Sequence, residues 1–223
     1  MTQDLWSQVD DYINDLYAPH DAALDATVQA AIDAGMPGTH ITANQGKLLL
    51  ILARLIGARR ILEIGALAGY STIWLARALP TDGRLLTLEY NPKHAEVVRA
   101  NVARAGLAER VEVCLGDGLT TMQQWIDDGA EPFDMIFIDP DEKRRYPEFL
   151  ELAMCLTHPG SLLVADNTIR HGKVLEQPSP DPNMRGVQQF NAALAADPRL
   201  DATIMQMVGL KGWDGIALAM VRK

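Results

Sequence analysis

From Arg60 onward the chain alternates short apolar runs with helical segments, and that alternation leaves few folds open. The runs are Arg60–Ile64, Arg84–Glu89, Val111–Leu115, Phe133–Asp139 and Ser161–Asp166. Between them Ser71–Leu79, Pro92–Ala105, Leu119–Asp128 and Tyr146–Leu156 read as helices. Strands apolar on both faces must be covered on both faces, and strand–helix–strand crossovers achieve this with parallel strands. Pro92 suits a first helical turn and Gly106 a helix stop. The tail departs from the alternation. Gly186–Ala196 reads as a helix, and Asp201–Val208 and Ile216–Val221 read as strands joined by GLKGWDG. So short a connection favours an antiparallel pair. The proline-rich Gln177–Pro182 reads as a loop. Ahead of Arg60, Asp4–Ala18, Asp21–Ala34 and Thr42–Leu55 read as three helices, the last with Thr42 as its N-cap. The expectation is a single domain, with a helical cap over residues 1–57 and an α/β core over 58–223.

Composition narrows the partners. With 223 residues, 48% hydrophobic and 22% charged, the chain can bury a sizeable core as a globular protein. A net charge of −9 argues against nucleic acid or an anionic membrane as the main partner, since both reward basic surfaces. The start, MTQDLWSQVDDYIND, has no basic stretch followed by an apolar one, and Leu48–Ile56 is interrupted by Arg54 and too short to span a bilayer. The expected compartment is the cytoplasm. Cys114 and Cys155 read as small buried hydrophobes, and His20, His94 and His158 show no metal spacing.

The segment Arg60–Ser71, RILEIGALAGYS, carries the first chemistry. A buried strand ends at Glu63 and Ile64, a turn holds Gly65 and Gly69, and a helix follows. Glycines there let backbone N–H groups approach a ligand, and the carboxyl ends of parallel strands are where open α/β sheets bind one. The spacing is not the G-x-G-x-x-G of dinucleotide sites. Glu63 would repel a pyrophosphate but tolerates a cationic sulfonium. Glu89, ending the second strand, can accept from both hydroxyls of a ribose, or be a solvated strand-end acid. In Gly116-Asp117-Gly118, Asp117 can accept from an adenine amino group, cap the next helix, or do both.

The fourth strand ends FDMIFIDPD and the fifth LLVADN, so Asp139, Asp141, Asp166 and Asn167 gather at one sheet edge. Carboxylates with an amide oxygen suit Mg²⁺, Mn²⁺ or Ca²⁺. The alternative is that these acids only cap helices.

Together LEIGALAGYS, LTLEYNP, FIDPD, LLVADN with the later HGKV, and GLKGWDG resemble the cation-dependent small-molecule O-methyltransferases, the caffeoyl-CoA and catechol O-methyltransferase group with its bacterial relatives. The resemblance runs from about Thr39 to the C-terminus. It implies a Rossmann-like class I methyltransferase fold: a mostly parallel seven-stranded sheet with an antiparallel C-terminal hairpin and helices on both faces. It implies S-adenosylmethionine contacted by Ile41, Glu63, Gly65, Tyr70, Ser71 and Glu89, with Asp117 and Gly118 beside the adenine. Asp139, Asp166 and Asn167 would hold the divalent cation, and Asp139 would also face the methionine amino group. The acceptor would be a small catechol-like or polyhydroxylated molecule, and the leading helices would support a homodimer.

Two positions depart from the family pattern. A lysine usually stands three residues after the first metal Asp; here Glu142 is there and Lys143 follows, as a one-residue insertion before Tyr146 would produce. Lys143 is the candidate general base, or a solvated lysine. An aromatic usual after the Asp-Asn pair is replaced by Arg170, beside His171. Arg170 either favours an anionic or strongly polar acceptor or faces solvent. His40 and Trp213 are candidates for the acceptor border, against a surface histidine and a packed loop anchor. Two other functions stay open at this point: a NAD-dependent oxidoreductase, and a non-catalytic S-adenosylmethionine-binding protein.

Overall fold

The computed structural model describes residues 2–19 and 21–222. His20 therefore lies outside the described residues. Three helices lead: α1 (Gln3–Tyr17), α2 (Ala22–Asp33) and α3 (Ala43–Leu55). Thr42 caps α3 through a reciprocal capping box with Gln45. The alternation then begins: β1 (Arg60–Ile64), α4 (Tyr70–Ala78), β2 (Arg84–Glu89), α5 (Pro92–Arg104), β3 (Val111–Leu115), α6 (Gly118–Asp127), β4 (Phe133–Ile138), α7 (Tyr146–Cys155) and β5 (Thr157–Ala165). The tail adds α8 (Pro182–Ala196), β6 (Leu200–Gly209) and β7 (Gly212–Val221).

All seven strands form one sheet in the order β3-β2-β1-β4-β5-β7-β6. β1 to β5 run parallel, while β7 is antiparallel to both β5 and β6. The order reverses between β1 and β4, the topological switch point at which open α/β sheets leave a crevice beyond their carboxyl ends.

The sheet's two faces carry separate cores. On one, Ile61, Leu85, Phe137, Val164 and Ile216 pack with Ile73 and Trp74 of α4, Val98 of α5, and Leu24, Leu49 and Ala53 of the leading helices. On the other, Leu62, Ile136, Leu163 and Ala217 pack with Met122, Phe149, Val187 and Phe190. The leading helices thus share the core of α4 and α5. No described helix is long and apolar enough to cross a membrane.

Three boundaries differ from the sequence reading by four residues, the others by at most one. β5 starts at Thr157, where the ladder with β4 is irregular between Phe133 and Met135. α8 starts at Pro182 because Asp181 caps it and proline fits a first helical turn. Most of GLKGWDG is strand, not connection: Leu210 and Lys211 alone make the turn, and Val208 already pairs with Trp213. Gly212, at φ +89°, takes the left-handed position that closes a tight hairpin around an ordinary two-residue turn.

Candidate active site

A cavity of about 710 Å³ opens beyond the carboxyl ends of the parallel strands, a size suited to a cofactor-sized ligand. Its floor begins at the β1–α4 turn. Gly65 sits at φ +96°, and a Cβ there would meet the Asp139 carbonyl oxygen at 2.5 Å. The glycine is thus required by the abutment of two strand ends rather than by ligand approach alone. The Asp139 N–H donates to the Ile64 carbonyl, locking the two ends together.

Glu63 lies behind this floor, fully buried and outside the cavity lining. Its carboxylate accepts from Ser71 Oγ at 2.6 Å, Thr72 Oγ1 at 2.5 Å and Thr87 Oγ1 at 2.7 Å. Burial pushes its pKa up to about 7 against the pull of these hydroxyls. Of this group, Ser71 lines the cavity.

The β2 end supplies Glu89, which accepts from Leu67 N at 3.1 Å and Asn91 N at 2.9 Å and lines the cavity. Burial raises its pKa. Asp117 and Gly118 line the far wall. Asp117 caps α6 through Thr120 N and also accepts from Arg145 Nη1 at 2.6 Å. Chiefly that guanidinium holds its carboxyl well below the usual range. Arg145 leans on the Phe149 ring, 5.6 Å from its centre, and both line the wall.

The acids after β4 and β5 stand at neighbouring strand ends. The Asp166 N–H donates to the Ile138 carbonyl, setting Asp166 beside the Asp139 end. Asp139 Oδ1 accepts from Lys143 Nζ at 2.5 Å. Lys143 is buried, 5.2 Å from the centre of the Tyr146 ring, so it is not a solvated lysine. Burial works against its charge, but Asp139 outweighs burial and its pKa rises. Asp166 is buried and its Oδ1 has no hydrogen-bond partner. Burial first, and then the Asp139 charge, push its pKa up to about 7. Asn167, at φ +55°, lines the cavity and donates through Nδ2 to Asp214 Oδ2 at 3.2 Å.

Among the described residues no three His, Cys, Asp or Glu side chains form a metal cluster. The candidate set is two carboxylates and an amide. It fits a hard divalent cation in chemistry: three oxygen donors from adjacent strand ends, one of them a buried carboxylate oxygen left unpaired.

The acceptor-side candidates divide. His40 and Arg170 line the cavity, as do the cofactor candidates Ile41 and Tyr70, with the His40 and Tyr70 rings 5.1 Å apart. Trp213 does not line it. Its indole donates to Gln206 at 3.1 Å and would meet a Gly172 Cβ at 2.9 Å, which makes it a loop anchor. Sequence reading missed Arg145, Phe149 and Asp214. Neither the inward turn of the basic run Lys143–Arg145 nor the long-range partners of Arg145 and Asp214 leave a local signal.

The O-methyltransferase family model matches residues 16–222. The chain is 51% identical over 222 residues, covering all of both chains, to a catechol O-methyltransferase of Niastella koreensis. It superposes with TM-score 0.96 on the O-methyltransferase TomG of Streptomyces achromogenes solved with S-adenosylmethionine, at 43% identity with both chains fully covered. An O-methyltransferase of Bacillus cereus, solved with S-adenosylhomocysteine, gives TM-score 0.96 at 43% identity over 99% of this chain and 100% of that one.

Proposed function

The chain belongs to the O-methyltransferase family, and from that premise we propose that it moves a methyl group from S-adenosylmethionine to a hydroxyl of a small catechol-like or polyhydroxylated acceptor, with a divalent cation at Asp139, Asp166 and Asn167. The observation that carries the cation is the unpaired Asp166 Oδ1, buried just behind the cavity wall that Asp139 and Asn167 line. The fold and the liganded relatives support the methyl donor, and leave the nicotinamide-dependent alternative without support.

In this reading the bound sulfonium supplies an activated methyl group, and Mg²⁺ or a similar cation supplies charge that lowers an acceptor hydroxyl's pKa. The chain supplies position. Glu89 has both oxygens anchored by backbone N–H groups and keeps lone pairs for ribose hydroxyls. Asp117 and Gly118 border the adenine, with Arg145 fixing the Asp117 carboxylate. Ile41, Tyr70 and the Ser71 turn close over the methionine end, and Glu63 holds Ser71 from behind. Lys143 keeps its proton while Asp139 pairs with it; were that carboxylate turned to a cation, the lysine's pKa would fall, its proton could pass to solvent, and the neutral amine could then take the acceptor hydroxyl's proton. His40 and Arg170 face the acceptor, and Arg170 favours one carrying a negative or strongly polar group.

The enzyme works in the cytoplasm as a homodimer in this reading. What supports the dimer is the apolar stripe of Leu5, Val9, Tyr12 and Leu16, 46–66% exposed along α1. Light scattering that gives a monomer at micromolar concentration removes it.

The deciding experiment titrates S-adenosylmethionine by calorimetry with Mg²⁺ and with EDTA, then follows S-adenosylhomocysteine over a catechol panel. Binding with metal-dependent turnover is expected. Turnover unaffected by EDTA overturns the cation, and absence of cofactor binding overturns the donor.

A further inference from the structure

Asp214 lies outside every role assigned above, yet four hydrogen bonds converge on it, three from the loop that follows β5 and one from its neighbour Gly215 in β7. Its Oδ1 accepts from the backbone N–H groups of Ile169 at 3.1 Å, Arg170 at 2.8 Å and Gly215 at 2.8 Å. Its Oδ2 accepts from Asn167 Nδ2 at 3.2 Å. The loop is otherwise costly to hold: Asn167, Arg170 and His171 all have left-handed backbones, at φ +55°, +53° and +56°. The Thr168 N–H donates to the Gly215 carbonyl and the His171 N–H to the Trp213 carbonyl, so the loop is laced to β7 along its length.

We infer that Asp214 is a positioning residue that fixes which end of the Asn167 amide faces the cation. The inference rests on the cation reading proposed above. An ionised carboxylate can only accept, so the Asn167 group turned toward it must be the NH₂. The amide oxygen is then the end left toward the cavity, beside Asp166. No described donor is bonded to that oxygen. The three backbone donors occupy Oδ1, which leaves Oδ2 as the atom that reads the amide. Arg170, held through its own N–H by the same oxygen, takes its place at the acceptor side from the same anchor.

The charge logic gives a discriminating variant. In Asp214→Asn, the side-chain oxygen can keep the three backbone bonds, and the new NH₂ then stands opposite Asn167. Asn167 must flip to accept, presenting its NH₂ to the cation. In the double variant Asn167→Asp with Asp214→Asn, the donor and acceptor are exchanged, and an oxygen again faces the cation. Mn²⁺ binding to the full chain, followed by electron paramagnetic resonance without acceptor, is the readout. Asp214→Asn should weaken Mn²⁺ about 10–100-fold, as loss of a ligand's orienting partner typically does. Its S-adenosylmethionine affinity, measured by calorimetry without metal, should stay at the wild-type value. The double variant should recover most of the Mn²⁺ affinity.

Wild-type Mn²⁺ affinity in a folded Asp214→Asn overturns the positioning role while leaving the cation site standing. Where that variant does not fold, the double variant decides: folding with Mn²⁺ bound supports the inference, and folding without it overturns it. A wild-type chain that binds no Mn²⁺ removes the cation site itself, and the inference with it.

Discussion

The two ends of β4 carry acids in opposite circumstances. Asp134, one residue into the strand, accepts from the Arg59 N–H at 2.7 Å, the Arg60 N–H at 2.8 Å and His158 Nε2 at 2.9 Å. Burial opposes its charge, but these donors win and its pKa falls below the usual value. Asp139, just past the strand's other end, takes its side-chain hydrogen bond from Lys143, with Lys211 acting only through its charge, and its neighbour Asp166 keeps a buried oxygen with no partner. Both have pKa values raised by burial. At the amino end of the sheet the protein satisfies its own acid; at the carboxyl end it leaves acids for something else to satisfy. The first arrangement stabilises the fold, and the second spends stability on a site.

That comparison breaks first at Asp166. Asp166→Ala should lower kcat/KM by about 100-fold or more, on the scale of losing a metal's support. Its thermal midpoint should hold or rise, because the lost carboxylate was buried and underpaired. A fall in midpoint with activity intact would reverse the roles assigned to the two ends.

Gly65→Ala tests whether the site end depends on backbone abutment. The new Cβ would strike the Asp139 carbonyl from a left-handed backbone. Chemical denaturation should show a loss of about 3 kcal/mol, combining strain and overpacking. Activity per folded molecule should fall too, since Asp139 must move.

Asp134→Ala should cost about 1–2 kcal/mol by leaving donors unpaired. Specific activity of the folded enzyme should stay at the wild-type level. A change in KM for S-adenosylmethionine in this variant would show that the strand transmits between its ends.

The smallest effect is the pH dependence of His158. The Pro159 carbonyl and then Asp134 raise its pKa. Its folded value therefore exceeds the unfolded one, so the pair's contribution is full below about pH 6.5 and is lost as pH rises through the folded pKa. The pair is largely solvated, which keeps the contribution below about 1 kcal/mol. Midpoints measured from pH 5.5 to 8.5 should fall slightly less steeply in His158→Gln.

The fold was largely legible because period and punctuation are local. β1, β2 and β3 have the bounds their apolar runs predict, and Thr42 and Pro92 stand where capping chemistry puts them. Most site acids were legible for the same reason, since a carboxylate at the end of an apolar strand is visible in one dimension. The hairpin was misjudged in extent because Gly212–Gly215 looks like turn sequence until β6 pairs with it.

By itself, then, the sequence determined the alternation, the strand ends and the gathering of Glu89, Asp139, Asp166 and Asn167 at one edge, since parallel neighbours bring their carboxyl ends together wherever the chain between them runs. Only the tertiary structure decided that Glu63 is sealed behind three hydroxyls, that Lys143 turns inward to Asp139, that Arg145 clamps Asp117, and that Asn167 donates to Asp214. Those choices turn on which polar atom finds a partner at about 3 Å in a buried setting. For the pairs brought together from distant stretches of chain, 28 residues apart for Arg145 and Asp117 and 47 for Asn167 and Asp214, no local pattern encodes the answer.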